Sequence, residues 1–210
     1  MKEKNTTPQA ILAQAQALSC TGLVSHNIPP RECIEPVLVP RGNMVILMDA
    51  SWDSTKKTGT AFVLFDEMGR LQYVHTAHIE CSDPLQAEAT ALLQVLNYVK
   101  GEVTANSDSK VLVCTDCKVL VNSILQRTVL DLPSWRAAEV VAEGAQLHDT
   151  MIGRITLRHV NRKMIPQPHL LANWARTSGY TCSGSVPAHI ALHANLNPEI
   201  DRDKFKLVQL

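Results

Sequence analysis

The chain has 210 residues, with 20 basic and 20 acidic side chains, so its net charge is near zero and its isoelectric point is about 7.1. This length is sufficient for one domain with extensions and a real core. A hydrophobic content of 45% and a charged content of 19% exclude a disordered or polybasic chain. They do not exclude a local basic surface that binds nucleic acid.

No apolar run approaches the roughly 18 residues that a membrane helix requires. The N-terminus MKEKNTTPQ lacks the apolar segment of a secretory signal. Six cysteines stand at unequal spacings, so we expect reduced thiols and an intracellular protein, in the nucleus or the cytoplasm. Cys114 and Cys117 form a CxxC pair without a second pair at zinc-finger spacing, so a redox or zinc role is kept only as an alternative.

Residues 1–43 have the pattern of an extension. Thr7 as a cap and Pro8 at the first helical position predict a helix over residues 7–18. Four prolines, at positions 29, 30, 36 and 40, then interrupt the chain. This pattern predicts a linker or a strap along a domain rather than a part of its core.

Three strands are predicted at the start of a compact domain that spans residues 44–178. Residues 44–48 form a continuous apolar run, which is typical of a central strand buried on both faces. Residues 60–65 and 71–79 are two further strand candidates, joined by a turn at 66–69. The short connections between these three segments predict an antiparallel meander.

Helices and strands then alternate. Asp83 as a cap and Pro84 at the first position begin a helix that Gly101 ends. A strand at 111–114, a helix at 118–126, a helix from the cap Ser134 to residue 149, a strand at 155–160 and a helix at 167–177 follow. The order is β-β-β-α-β-α-α-β-α. Residues 179–210 show no clear period beyond an apolar patch at 190–196, which predicts a weakly structured tail.

Three carboxylates occupy unusual places in this order. Asp49 directly follows the run 44–48, Asp116 follows the strand 111–114, and Glu88 borders the apolar stripe of its helix. An ionised glutamate that faces a core costs several kcal/mol unless a partner compensates its charge. A divalent cation between the three would be that partner, and hard oxygen ligands suit Mg²⁺ or Mn²⁺. The alternatives are that Asp116 caps the next helix and that Glu88 snorkels or pairs with an arginine.

Residues 151–176 contain five basic side chains and no acid, although the whole chain is neutral. A phosphate backbone is the natural partner of such a surface, and a solvated face balanced by acids elsewhere is the alternative. His159 ends the fifth strand and His169 opens the last helix. A histidine next to a metal cluster can move protons near neutral pH, but a lone histidine is more often structural.

These motifs resemble the ribonuclease H type 1 family, and in particular its plant branch found behind reverse transcriptases of non-LTR retroelements. The resemblance rests on ILMDAS at 46–51, QAEATAL at 86–92, VCTDC at 113–117, HVNR at 159–162 and PHLLA at 168–172, and it covers about residues 40–178. It implies an α/β fold with a five-stranded mixed sheet, in which three antiparallel strands are followed by two parallel ones, flanked by helices.

The resemblance also implies a site. Asp49, Glu88 and Asp116 match the family's metal-binding carboxylates, which hold two Mg²⁺ or Mn²⁺ ions. His159 matches the loop histidine that assists proton transfer or product release, and His169 stands where many members carry a fourth carboxylate. The implied phosphate contacts are Arg158, Arg162 and Lys163.

The chain departs from the family pattern at several positions. Ala50 replaces a common glycine and Cys117 a usual serine, while Lys163 and Ile165 replace a glutamate and an asparagine between the two histidines. We therefore expect a relaxed loop there. The histidine at position 169 puts the affinity for a second metal ion in question.

The implied activity is metal-dependent endonucleolytic hydrolysis of the RNA strand of RNA–DNA hybrids, in a retroelement-derived chain. An earlier fusion to a reverse transcriptase domain is an expectation of the same resemblance. One alternative is a catalytically weak or inactive remnant that binds nucleic acid without cutting it. Another is a different nuclease of the superfamily, such as a 3′–5′ exonuclease or an integrase-like strand transferase. Fold alone does not choose among them.

Overall fold

The computed structural model describes residues 35–103, 110–128, 132, 134–185 and 196–208. All described residues belong to one compact unit, which begins at Ile34. The helix predicted at 7–18 lies outside the described residues. Among the helices that the structure describes, none is both long and apolar enough to cross a membrane.

Eight strands and four α-helices make up the described chain. The strands are β1 Val37–Pro40, β2 Asn43–Trp52, β3 Lys57–Phe65, β4 Leu71–Glu80, β5 Lys110–Thr115, β6 Ile155–His159, β7 Cys182–Gly184 and β8 Phe205–Val208. The α-helices are α1 Pro84–Tyr98, α2 Lys118–Gln126, α3 Trp135–Asp149 and α4 Pro166–Ser178. A π-helical turn, Val99–Val103, follows α1, and a 3₁₀ turn, Arg162–Met164, precedes α4.

The main sheet is mixed, with the strand order β6-β5-β2-β3-β4-β7. Strands β2, β3, β4 and β7 pair antiparallel, while β2–β5 and β5–β6 pair parallel. The predicted fold class, three antiparallel strands followed by two parallel ones with flanking helices, is confirmed. The sheet has a sixth strand, β7, which the sequence did not predict because three residues are too few to show a strand period.

The ends of the described chain form a second, two-stranded sheet. Strand β1 pairs parallel with β8, and Val37, Val39 and Phe205 are buried. Parts of the segments predicted as a linker and as a weakly structured tail therefore belong to the folded unit. Neither segment has a clear period of its own, because each becomes ordered only by pairing with a strand far away in the sequence.

Both faces of the main sheet are covered, which explains the continuous apolar run of β2. Ile46 and Met48 belong to the core on the side of α1, α2 and α3, whereas Val45 and Leu47 belong to the core on the side of α4. The alternation along one strand thus supplies two cores. Because β2 lies between them, the end of this strand is held rigidly.

The predicted caps are confirmed and determine where two helices begin. The Asp83 side chain accepts a hydrogen bond from the backbone N–H of Gln86 at 2.9 Å, and Ser134 Oγ accepts one from Ala137 at 3.3 Å. The Ser134 hydroxyl also donates to Asp83 Oδ2 at 2.6 Å, which connects the starts of α1 and α3. These contacts hold the first turns of α1, from which Glu88 projects.

Helix α4 approaches the sheet most closely at Gly59 of β3. A Cβ atom at this position would overlap with the carbonyl oxygen of Ala172 and lie 2.5 Å from the backbone nitrogen of Arg176. Both obstacles are backbone atoms, which cannot turn away as a side chain can. The absence of a side chain at position 59 therefore sets the distance between α4 and the sheet.

We predict that Gly59→Ala lowers the free energy of unfolding by about 1–3 kcal/mol or more, because the helix must move away from the sheet. Urea denaturation measures this change. Gly101→Ala is the matched control, since a Cβ there would meet no atom within 4 Å, and it should change the free energy by less than about 0.5 kcal/mol. Equal effects of the two substitutions would contradict this account of the packing.

Candidate active site

The three carboxylates predicted to lie together do so. The parallel pairing of β2 with β5 places Leu47 beside Cys114, so Asp49 and Asp116, each two residues further on, reach the same edge of the sheet. Glu88 comes from α1, which packs against β2. One oxygen of each of the three carboxylates lies within 4.8 Å of the others. Adjacent strand ends and one helix thus produce an acidic triad, Asp49, Glu88 and Asp116.

The triad is electrostatically unfavourable without a counter-charge. Asp49 is 2% exposed, and Glu88 Oε2 is buried without a hydrogen-bond partner. Burial, followed by the charges of Asp49 and Asp116, raises the pKa of Glu88 well above its ordinary value of 4.5. Burial and the charge of Asp116 also raise the pKa of Asp49, against the lowering effect of its hydrogen bond with His169.

The two structural alternatives for these acids are not supported. Helix α2 has Cys117 as its N-cap residue, with no side-chain cap, so Asp116 does not cap it. Instead Thr115 Oγ1 accepts a hydrogen bond from the backbone N–H of Cys117 at 3.1 Å. Glu88 Oε2 is buried without a hydrogen-bond partner, so this oxygen neither reaches solvent nor accepts a hydrogen bond from an arginine.

His169 and Arg162 lie beside the triad. His169 Nδ1 is 2.7 Å from Asp49 Oδ2, and Arg162 Nη2 lies 3.0 Å from Nδ1 and 3.2 Å from Nε2 of the same ring. Arg162 Nε is also 4.0 Å from Asp116 Oδ2. The histidine at the position of the expected fourth carboxylate therefore takes part in the site through hydrogen bonds.

The other predicted residues belong to β6 and to the turn that follows it. His159 is the exposed last residue of β6, where it pairs with Thr115 in the parallel ladder. Arg158 is exposed on the same strand, and Lys163 lies in the 3₁₀ turn next to Arg162. Of the predicted site residues, Glu88, Arg162 and His169 line a cleft beside the triad, whereas Asp49, Asp116, His159, Arg158 and Lys163 do not line it.

That cleft has a volume of about 250 Å³. It is lined by Ala50, Ser51, Trp52, Pro84, Ala87, Glu88, Arg162 and His169. Sequence reasoning did not identify Ser51 and Trp52, although their place directly after Asp49 and Ala50 on β2 was a usable signal. The Trp52 indole donates to the carbonyl oxygen of Cys81 at 2.9 Å, and Arg176 Nε donates to Ser51 Oγ at 2.8 Å.

The redox or zinc alternative has no support from the two thiols of the CxxC pair. Cys114 is buried in the core on the side of α4, while Cys117 packs against the core on the other side of the sheet. Both are free, and burial raises the pKa of each to about 12. The thiolate that redox chemistry and zinc binding require is therefore disfavoured at both positions.

Comparison with known proteins agrees with this fold. The profile of the family described as "Reverse transcriptase-like" matches residues 47–175, which include all three carboxylates and His169. The chain belongs to this reverse transcriptase-like family, whose domain is ribonuclease H-like. A comparison with curated protein sequences finds no significant match.

Solved structures show the same fold. A ribonuclease H1 isolated from compost by a metagenomic approach is 20% identical with a TM-score of 0.57, over 66% of this chain and 98% of that one. A structure of the same compost protein with an RNA/DNA hybrid is 19% identical with a TM-score of 0.58, over 65% of this chain and 99% of that one. The ribonuclease H1 of the archaeon Halobacterium salinarum is 16% identical with a TM-score of 0.56, over 65% of this chain and 98% of that one.

The raised pKa of Glu88 predicts how stability depends on pH when divalent cations are removed. The folded protein binds this proton more tightly than the unfolded chain does, so the stabilisation is complete below pH 4.5 and is lost as the pH rises through the folded pKa. In EDTA, the melting temperature of the wild type should therefore fall relative to that of Glu88→Gln as the pH rises from 4.5 towards neutrality.

Glu143→Gln is the matched control for this experiment, because Glu143 is an exposed glutamate on α3. Its melting temperature should follow that of the wild type across the same pH range. A constant difference between the wild type and Glu88→Gln at all pH values would contradict the shifted pKa.

Proposed function

We propose that the chain is an endonuclease that hydrolyses the RNA strand of RNA–DNA hybrids with the help of Mg²⁺ or Mn²⁺. One observation carries this proposal. Three carboxylates from β2, α1 and the end of β5 bring oxygens within 4.8 Å of one another, and one of those side chains has a buried oxygen without a partner. Such an arrangement is costly unless cations occupy it.

The donor set fits hard divalent cations. All three groups of the triad are carboxylates, which suit Mg²⁺ and Mn²⁺, and the thiols nearby are protonated. Asp49, Glu88 and Asp116 would hold the ions, and we propose two of them. Bound there, the cations would lower the pKa of a water molecule and stabilise the charge on the leaving 3′ oxygen.

The protein's own residues hold this arrangement in place. Asp49 is fixed by a strand buried on both faces, and Asp116 by the neighbouring strand. His169 Nδ1 lies 2.7 Å from Asp49 Oδ2, and this contact between α4 and β2 helps to hold the Asp49 carboxylate in place. His159 stays a prediction for proton transfer or product release, acting from the tip of β6 beside Thr115.

The substrate is proposed from the surface around the triad. Arg158, Arg162 and Lys163 are exposed basic side chains on β6 and the following turn, and we propose that they contact phosphates. Proteins recognise RNA–DNA hybrids through the shape of the duplex and its 2′-hydroxyl groups rather than through base sequence. The compost ribonuclease H1 with the same fold was solved with an RNA/DNA hybrid, which supports this substrate class.

Origin and compartment are part of the proposal. The motifs that resemble the plant retroelement branch, together with membership of the reverse transcriptase-like family, support a retroelement-derived chain. An earlier fusion to a reverse transcriptase domain would agree with that origin. We further propose an intracellular site of action, in the nucleus or the cytoplasm, where RNA–DNA hybrids arise.

A second candidate function is nucleic-acid binding without cleavage. The observation that favours it is His169, which takes the place of a fourth carboxylate and lies 2.7 Å from Asp49 Oδ2. A site with one carboxylate fewer has less negative charge to hold a second cation. The same surface would then bind a hybrid and leave it intact, and a cleavage assay separates the two functions.

We predict that Asp116→Asn and Glu88→Gln each lower Mg²⁺-dependent cleavage of a labelled hybrid at least about a hundredfold, because each removes a ligand charge worth several kcal/mol in the transition state. Circular dichroism should show both variants folded. Asp203→Asn, an exposed carboxylate in the turn before β8, is the control and should cleave like the wild type. Cleavage by the two triad variants at the wild-type rate would refute the assignment.

Binding of the hybrid should depend on salt through the basic turn. Lys163→Gln removes one proposed phosphate contact, so the slope of log K against log salt should become shallower by about one. Fluorescence anisotropy of a labelled hybrid in Ca²⁺ measures this slope. Lys57→Gln, an exposed lysine at the start of β3, serves as the control with an expected wild-type slope. An unchanged slope for Lys163→Gln would remove this residue from the interface.

A further inference from the structure

Arg162 connects two of the groups at the acidic triad. Its Nε lies 4.0 Å from Asp116 Oδ2, and its Nη2 lies 3.2 Å from His169 Nε2, while His169 Nδ1 lies 2.7 Å from Asp49 Oδ2. A chain of contacts therefore runs from Asp116 through Arg162 and His169 to Asp49. Arg162 and His169, the two middle members of this chain, also line the cleft beside Glu88.

The guanidinium of Arg162 lies against the imidazole of His169 and not against a single nitrogen of it. Arg162 Nη2 is 3.0 Å from His169 Nδ1 and 3.2 Å from Nε2, and the same Nδ1 is 2.7 Å from Asp49 Oδ2. Arginine only donates hydrogen bonds and keeps its charge in proteins. The positive charge of Arg162 is therefore held beside the imidazole that contacts Asp49.

Arg162 also brings positive charge to the triad. Among the residues that line the cleft in the described part of the chain, it alone carries a permanent positive charge. Asp116, its acidic neighbour, has a side chain that is only 16% exposed, whereas the side chain of Arg162 is 62% exposed. The arginine thus approaches the triad from the solvent side, with its Nε 4.0 Å from Asp116 Oδ2.

The turn that carries Arg162 is anchored, but its side chain is not enclosed. Asn161 Oδ1 accepts from the backbone N–H of Lys163 at 2.9 Å, and Met164 is buried in the core on the side of α4. These contacts hold the backbone of the turn in place. The exposed guanidinium can therefore leave Asp116 without any change in the fold.

We propose that Arg162 is a built-in counter-ion of the acidic triad that competes with the divalent cation and turns away from Asp116 when the cation binds. This inference rests on the proposed function, because it requires that the triad binds a divalent cation. It goes beyond that function by assigning Arg162 a role in setting the cation affinity. By linkage, any phosphate that draws the guanidinium away from Asp116 would make cation binding tighter.

The test is a titration of the full-length protein with Mg²⁺ in the absence of nucleic acid, followed by melting temperature. Loss of one nearby positive charge predicts that Arg162→Gln reaches half-saturation at an Mg²⁺ concentration roughly threefold to tenfold lower than the wild type. Arg162→Lys, which keeps the charge, should lie within about twofold of the wild type. Lys110→Gln is the matched control, since it removes one exposed positive charge from the end of β5 opposite to Asp116.

The outcomes separate this inference from the proposed function. If Mg²⁺ stabilises the wild type but not Glu88→Gln, the cation site is supported whatever Arg162 does. The inference is then overturned if Arg162→Gln needs as much Mg²⁺ as the wild type or more, if Arg162→Lys gains affinity like Arg162→Gln, or if Lys110→Gln gains as much as Arg162→Gln. If Mg²⁺ stabilises no variant and not the wild type, the proposed metal site fails, and the inference fails with it.

Discussion

Repulsion among three carboxylates at one edge of a buried sheet is the constraint on which the site depends. Asp49 is almost fully buried, and Glu88 has an oxygen with no partner. An arrangement of this kind costs free energy in the folded protein and contributes nothing to the core. Packing in the rest of the domain has to offset this free-energy cost. It also has to prevent the three carboxylates from moving apart into solvent.

The two-sided packing of the main sheet meets that requirement. Strand β2 contributes alternate residues to two cores, and α1 and α4 cover its two faces. The close approach of α4 at Gly59 adds a backbone contact that no side chain could reproduce. Asp49 and His169 thus reach each other from two elements whose separation is fixed by packing rather than by the hydrogen bond between them.

Positive charge from a single turn moderates the acidic site. Arg162 and His169 connect Asp116 with Asp49, while Glu88 faces the same space with an unpartnered oxygen. The site is therefore neither a bare acidic cluster nor a set of closed ion pairs. The three carboxylates carry more negative charge than Arg162 neutralises, so a divalent cation can still bind there. The exposed side chain of Arg162 can also turn towards a phosphate.

The sequence by itself determined the order of the elements, the helix caps and the three carboxylates. Periodicity and capping residues act over a few neighbouring positions, so Asp83, Ser134 and the run before Asp49 could be interpreted locally. Tertiary structure alone decided that β7 extends the sheet, that β1 pairs with β8, and that Arg162 and His169 meet beside the carboxylates. Those features depend on contacts between segments far apart in the chain, and no local pattern records which distant partner a short strand or a long side chain will meet.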